Sequence, residues 1–115
     1  MLDDVSIPSM NVHSSSYEPF PRMNGTKHVL YHSPDGRVLA ASFTESGRHT
    51  MTMPFDEVAY VVSGSVSIRV RGGDEHFFGP GDVFFLRKGL TLEFDISDDF
   101  KDVAIMIADT PIPRP

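Results

Sequence analysis

The sequence predicts an all-β fold, and three observations carry that expectation. Apolar and polar residues alternate over short runs, as where Val66, Ile68 and Val70 interleave with Ser67, Arg69 and Arg71. Glycine-bearing turns recur at close spacing, and no amphipathic helix of ten residues can be drawn anywhere. Short alternating runs between tight turns are the signature of a sandwich or barrel.

Residues 28–32 open the pattern as a short strand. Ser33-Pro34-Asp35-Gly36 has proline second and glycine fourth, as a type I turn prefers. Residues 38–44 form the next strand, which Gly47 breaks, and residues 48–53 a third. Pro54 then interrupts, because proline cannot donate to a ladder. An apolar strand at 58–63 ends at Gly64, and residues 65–71 alternate. Gly72-Gly73-Asp74 is a hairpin turn, since glycine tolerates positive φ. Residues 75–78 follow, then the tight turn Gly79-Pro80-Gly81-Asp82, the apolar strand 83–86 and the turn Arg87-Lys88-Gly89. Residues 90–96 alternate again, 97–100 are an acidic loop, and 103–108 are the last strand. That makes about nine strands in one domain, residues 27–110.

Residues 1–26 read as an N-terminal arm, because Ser14, Ser15, Ser16, Pro19 and Pro21 favour irregular backbone. The arm is either a flexible tail or a strand that pairs only across a dimer, burying Val5, Ile7, Val12, Tyr17 and Phe20. Residues 111–115 are a Pro-rich tail. Strands 58–62 and 83–86 are apolar on both faces, so their second face must meet something. The simplest cover is another subunit, which predicts a homodimer.

Composition excludes several function classes. The chain has 115 residues, enough for one modest core, and a net charge of -6. That sign argues against nucleic acid as a partner. There is no cysteine, so thiolate catalysis, disulfides and iron–sulfur clusters are removed together. No apolar run reaches the roughly 20 residues of a membrane helix, and residues 1–10 show no signal-peptide h-region. A cytoplasmic protein without a membrane partner is the expectation. The acidic set Asp95, Asp98, Asp99 and Asp102 lacks the spacing of a calcium loop and reads as solvated.

Two stretches resemble a known family. Pro54-Phe55-Asp56-Glu57-Val58-Ala59-Tyr60-Val61-Val62-Ser63-Gly64 resembles the second half of the first cupin motif. Gly79-Pro80-Gly81-Asp82-Val83-Phe84-Phe85-Leu86-Arg87-Lys88-Gly89 resembles the second. The chain is similar to small single-domain, RmlC-like cupins. Within them it most resembles the ethanolamine-utilisation and ureidoglycine-aminohydrolase groups. The resemblance covers about residues 28–109 and implies a double-stranded β-helix, the jelly-roll barrel. It also implies a metal site of three histidines and a glutamate. Here the histidine positions fall on Met51, Met53 and Leu92, and of the four ligands Glu57 alone remains. A divalent ion needs N and O donors that thioethers do not replace. No cofactor is therefore expected. A divalent metal would require the rescue set His49, Glu57 and His76.

An inward Glu57 without a metal is costly to bury as a charge, so its pKa should rise and suit it to general acid–base work. The plainer alternative makes it a turn cap or an arginine partner. By strand parity the pocket would be lined by Phe43, Met51, Met53, Ala59, Val61, Phe85, Leu92 and Phe94. Two methionines and three phenylalanines make an apolar, deformable pocket for a small-molecule ligand, unless they simply fill the barrel. The candidates are a small metal-free enzyme, a non-catalytic accessory protein of ethanolamine-type metabolism, and a metal enzyme on the rescue set.

Overall fold

The computed structural model describes residues 6–115; Asp3, Asp4 and Val5 lie outside the described residues. The strands are β1 (Glu18–Phe20), β2 (Gly25–His32), β3 (Val38–Thr44), β4 (Gly47–Thr52) and β5 (Asp56–Ser63), followed by β6 (Val66–Val70), β7 (Glu75–Phe78), β8 (Val83–Leu86), β9 (Thr91–Ile96) and β10 (Lys101–Ile107). A single 3-10 turn, Pro21–Met23, joins β1 to β2. No helix among the described residues is long and apolar enough to cross a membrane. The nine expected strands all form, their ends displaced by no more than three residues.

The strands make two antiparallel sheets. The larger runs β1-β2-β3-β10-β5-β8 and the smaller β4-β9-β6-β7. Their inner faces pack together as a jelly roll. Register places three rows on the inner face of the large sheet. The first is Leu39, Met106, Glu57 and Leu86, the second Ala41, Ala104, Ala59 and Phe84, and the third Phe43, Asp102 and Val61. The inner face of the small sheet carries Met51, Leu92 and Val70, then His49, Phe94, Ile68 and His76, then Ile96 and Val66.

The core divides in two. One buried cluster holds Leu39, Ala41, Phe43, Ala59, Ala104 and Met106 of the large sheet. The other holds Val66, Ile68, Leu92 and Ile96 of the small sheet with Met53, Val61, Leu86 and Phe100. Met23, Phe55 and Phe84 are partly buried and touch both. Ala41, Ala59 and Ala104 of the middle row are 0–1% exposed, so the space above them is filled by packed side chains.

The arm and tail are part of the barrel. Glu18–Phe20 pairs with β2 of its own chain, so this segment is neither a free tail nor a strand reserved for a partner. Phe20 is buried with its ring 5.3 Å from that of Phe43. Tyr17 donates to Ser42 Oγ at 2.8 Å, and Ser42 donates on to the Asp102 carbonyl at 2.7 Å. At the other end Ile112 is buried, and its amide donates to the Gly36 carbonyl at 2.7 Å. Ile7, by contrast, is exposed.

Gly64 ends β5 with φ +71°, and a Cβ there would lie 2.5 Å from the Cα and N of Phe100. Backbone on both sides leaves no side chain to move aside. Gly72 has φ +78° but open space around it. Gly64→Ala should therefore lose about 3 kcal/mol or more of stability, against about 1 kcal/mol for Gly72→Ala. Urea unfolding of the two variants checks the order; equal losses would show that the Phe100 backbone yields.

Candidate functional site

Strand parity decides what faces inward. Glu57 lies in the first inner row on β5, and Asp102 in the third row on β10. Glu45 follows Phe43 by two residues at the end of β3 and continues the inner parity Leu39, Ala41, Phe43. Between the Glu57 and Asp102 rows lies the row of Ala41, Ala104, Ala59 and Phe84. Three carboxyls from three elements are thus carried on one inner face within electrostatic reach of one another.

Each carboxyl is held toward its neutral form. Burial raises the Glu57 pKa to about 8, and the Glu45 charge adds to the rise. Burial raises Glu45 to about 7. Burial also lifts Asp102 well above the carboxylate range, reinforced by Glu45 and then Glu57 and opposed by the Phe43 amide. Asp102 is 4% exposed, and its Oδ1 has no hydrogen-bond partner. Glu45 and Glu57 are partly exposed. The described residues hold three ion pairs, Arg48–Asp95, Arg69–Glu75 and Lys88–Asp109, and none involves these carboxyls. Glu57 is thus neither a turn cap nor an arginine partner.

The expected pocket residues separate into three kinds. Phe43, Met53, Ala59, Val61 and Leu92 are fully buried and act as core filling. Met51 and Phe94 are partly buried on the inner face of the small sheet. Phe85 is a correction: it is 57% exposed and pairs with Val58 on the outer face. β8 is apolar on both faces, so its sequence alone could not set its parity; Phe84 and Leu86 face inward instead. Asp102 is a second correction, because it sits in β10 and not in a solvated loop. Glu45, Asp102, Phe55, Phe84 and Met23 were missed as site residues. Parity was the available signal: Asp102 precedes Ala104 and Met106 in steps of two, as Glu45 follows Ala41 and Phe43.

The residues do not fit a divalent metal. Met51 and Leu92 pair directly across β4 and β9, so two of the family's ligand positions offer a thioether and an alkyl group. The rescue set does not assemble either. His49 and His76 share one row, but β9 and β6 lie between their strands, three spacings or about 14 Å apart. His49 Nε2 donates to the Ser46 carbonyl at 2.7 Å, and His76 is exposed and stacked on Phe78. Among the described residues no group of three or more His, Asp or Glu could hold a metal ion. A surface groove of about 330 Å³ on the small sheet is lined by Arg48, Arg69, Glu75 and Asp95, which already pair with one another. It reaches none of the three carboxyls.

The raised carboxyls make stability depend on pH. The folded chain keeps protons on Glu45 and Glu57 up to about pH 7 and about pH 8, whereas the ordinary value is 4.5. The folded state thus binds more protons than the unfolded one across that window, and stability falls as pH rises through it. Each group removes up to about 1.4 kcal/mol per pH unit. Thermal unfolding is expected to give a lower Tm at about pH 8 than at about pH 5.5. A Tm that rises over this interval would show that the carboxyls are ionised in the fold.

Comparison with known proteins places this geometry in a family. The family model described as an EutQ-like cupin domain matches residues 34–102. The putative ethanolamine utilization protein Q of Salmonella typhimurium LT2 aligns with a TM-score of 0.70 at 20% identity, over 84% of this chain and 82% of that one. The EutQ protein of Clostridium difficile aligns with a TM-score of 0.61 at 22% identity, over 75% and 66%. The polyketide cyclase RemF of Streptomyces resistomycificus aligns with a TM-score of 0.66 at 18% identity, over 90% and 81%. At such identities these structures share the fold. No curated protein sequence matches the chain. Both cupin-like motifs lie inside the matched residues, the first on β5 and the second around β8, and the chain belongs to the EutQ-like cupin family.

Proposed function

We propose that this cupin binds a small organic molecule at the partly exposed end of β5 where Glu57 stands, with Glu57 as the group that exchanges a proton with it. The observation that carries this reading is the inward Glu57 carboxyl, open to solvent, without a protein partner and with a pKa near 8. Near neutral pH both of its forms are populated, so it can accept or donate a proton without a large energetic penalty. The runner-up is a non-catalytic accessory protein of ethanolamine-type metabolism. The naming of the Salmonella relative favours it, as does the filling of much of the barrel by buried side chains.

Titration of the glutamate carboxyls by 13C NMR tests the central claim. One carboxyl, absent from Glu57→Gln, is expected to titrate near pH 8; a Glu57 value near 4.5 would remove it from acid–base work. A ligand-observed NMR screen of small organic acids, amines and alcohols then separates the two readings. Binders whose turnover, but not binding, is lost in Glu57→Gln mark an enzyme. Binders that stay chemically unchanged mark the accessory protein.

The second copy expected from the sequence is also proposed here. On the outer face of the large sheet Phe85, Val58, Ile105, Ala40 and Tyr31 form one cross-strand row, with Val83, Tyr60 and Val103 beside it. Neither row contains a charge, and Phe85, Tyr60, Val83, Ile105 and Tyr31 are exposed. A flat, uncharged face suits an isologous pairing of two identical sheets. Sedimentation should give a dimer that becomes monomeric in Phe85→Asp. A monomeric wild-type protein at about 100 µM would leave this face without its second copy.

A further inference from the structure

We propose that residues 6–10 of each protomer dock on a second copy of the chain, with Ile7 as the anchor, so that the two copies exchange arms at the rim of the uncharged face. This deepens the pairing of large-sheet outer faces proposed above and rests on it. The argument starts from where the arm is fastened. Residues 11–15 form a compact turn, in which Asn11 Oδ1 accepts from the His13 and Ser14 amides and the Ser15 amide donates to the Asn11 carbonyl at 3.0 Å. That turn is pinned to the outer face of the large sheet. Lys101 Nζ donates to the Val12 carbonyl at 2.6 Å and stands 5.0 Å from the centre of the Tyr17 ring. Tyr17 in turn donates to Ser42 Oγ. Lys101 and Ser42 both point outward, since their neighbours Asp102 and Phe43 face in.

Ser42 belongs to the same cross-strand row as Val103, Tyr60 and Val83. The arm closes one end of that row, where Ser42 is fully buried, and leaves Tyr60 and Val83 exposed at the other. The residues before the turn do not go on to cover them. Ser6, Ile7, Pro8 and Ser9 are exposed, and Met10 is half-buried. Ile7 is 86% exposed, more than any other large apolar side chain among the described residues. Its own protomer leaves both this isoleucine and the neighbouring apolar face bare, and a second copy supplies a cover for each.

Reach, stiffness and charge agree with that occupant. The five residues from Val12 back to Ile7 extend about 17 Å, and two packed sheets lie about 10 Å apart. The segment therefore spans the gap between the paired faces. Pro8 keeps it extended, because proline fixes its own φ and steers the preceding Ile7 away from helical backbone. Little conformational freedom remains to be lost on docking. Residues 6–12 carry no charged side chain, like the rows they border. In an isologous pair each copy gives one arm and receives one, so both isoleucines are buried by the same contact.

Mixed samples of 13C-labelled and unlabelled full chain test the exchange. Isotope-filtered NOE spectra are expected to connect the Ile7 methyls of the labelled copy to protons of the unlabelled one, and Phe85→Asp should abolish those cross-peaks. Sedimentation over a concentration series should give Ile7→Ser a dimer Kd weaker by about tenfold or more, and Ile7→Leu one close to wild type. An exposed position leaves the barrel itself intact in both variants, which an unchanged far-UV circular dichroism spectrum verifies. A wild-type dimer in which the Ile7 methyls contact only their own copy, or contact nothing, would overturn the arm exchange while the pairing of the faces stands. A Kd unmoved by Ile7→Ser would do the same. A wild-type chain that stays monomeric at about 100 µM would overturn both.

Discussion

Three carboxyls that face one another inside a barrel, without a counter-cation, impose the constraint on which the rest of this structure turns. An ionised carboxylate in such a place is strongly disfavoured. The fold can keep the group only by holding a proton on it or by admitting a partner from solution. Small residues at positions 41, 59 and 104 separate the Glu57 and Asp102 rows and leave this part of the sheet with little side-chain bulk of its own.

The antiparallel framework carries that weakness through its margins. Phe20 of the arm packs on Phe43 near Asp102, and Ile112 of the tail packs into the same cluster from the turn at Gly36. The chain from Tyr17 through Ser42 to the Asp102 carbonyl ties the arm to the strand that bears the buried acid. Two segments rich in proline and serine therefore add apolar surface and hydrogen bonds to the part of the barrel where the large sheet is thinnest. Their irregular composition reflects the path they follow around the sheet, not a lack of contacts.

Loss of the family's metal ligands changes what the barrel can do. Where Met51, Met53 and Leu92 stand, the inner wall is apolar and offers no nitrogen donor. Glu57 faces inward on β5, where burial first and the Glu45 charge second raise its pKa.

Turn chemistry and alternation made the strands legible. Gly36, Gly64, Gly72 and Gly81 all adopt positive φ in the turns where they were read, and β2 to β10 lie where the alternation put them. The two motif stretches also marked the family and singled out Glu57. Parity failed where a strand was apolar on both sides, as at Phe85, or where its boundary was set two residues late, as before Val103. That short error left Asp102 in a loop. What the sequence by itself determined was local: where the chain turns, which runs extend, and which metal ligands are missing. The pairing of β3, β10 and β5 decided that three alanines share one row and that Glu57 and Asp102 share one inner face, and the order β4-β9-β6-β7 that two strands lie between His49 and His76. Those relations join residues as many as 63 positions apart, from Ala41 to Ala104. No local propensity encodes such distances, because they arise from cross-strand register, which only the assembled sheets define.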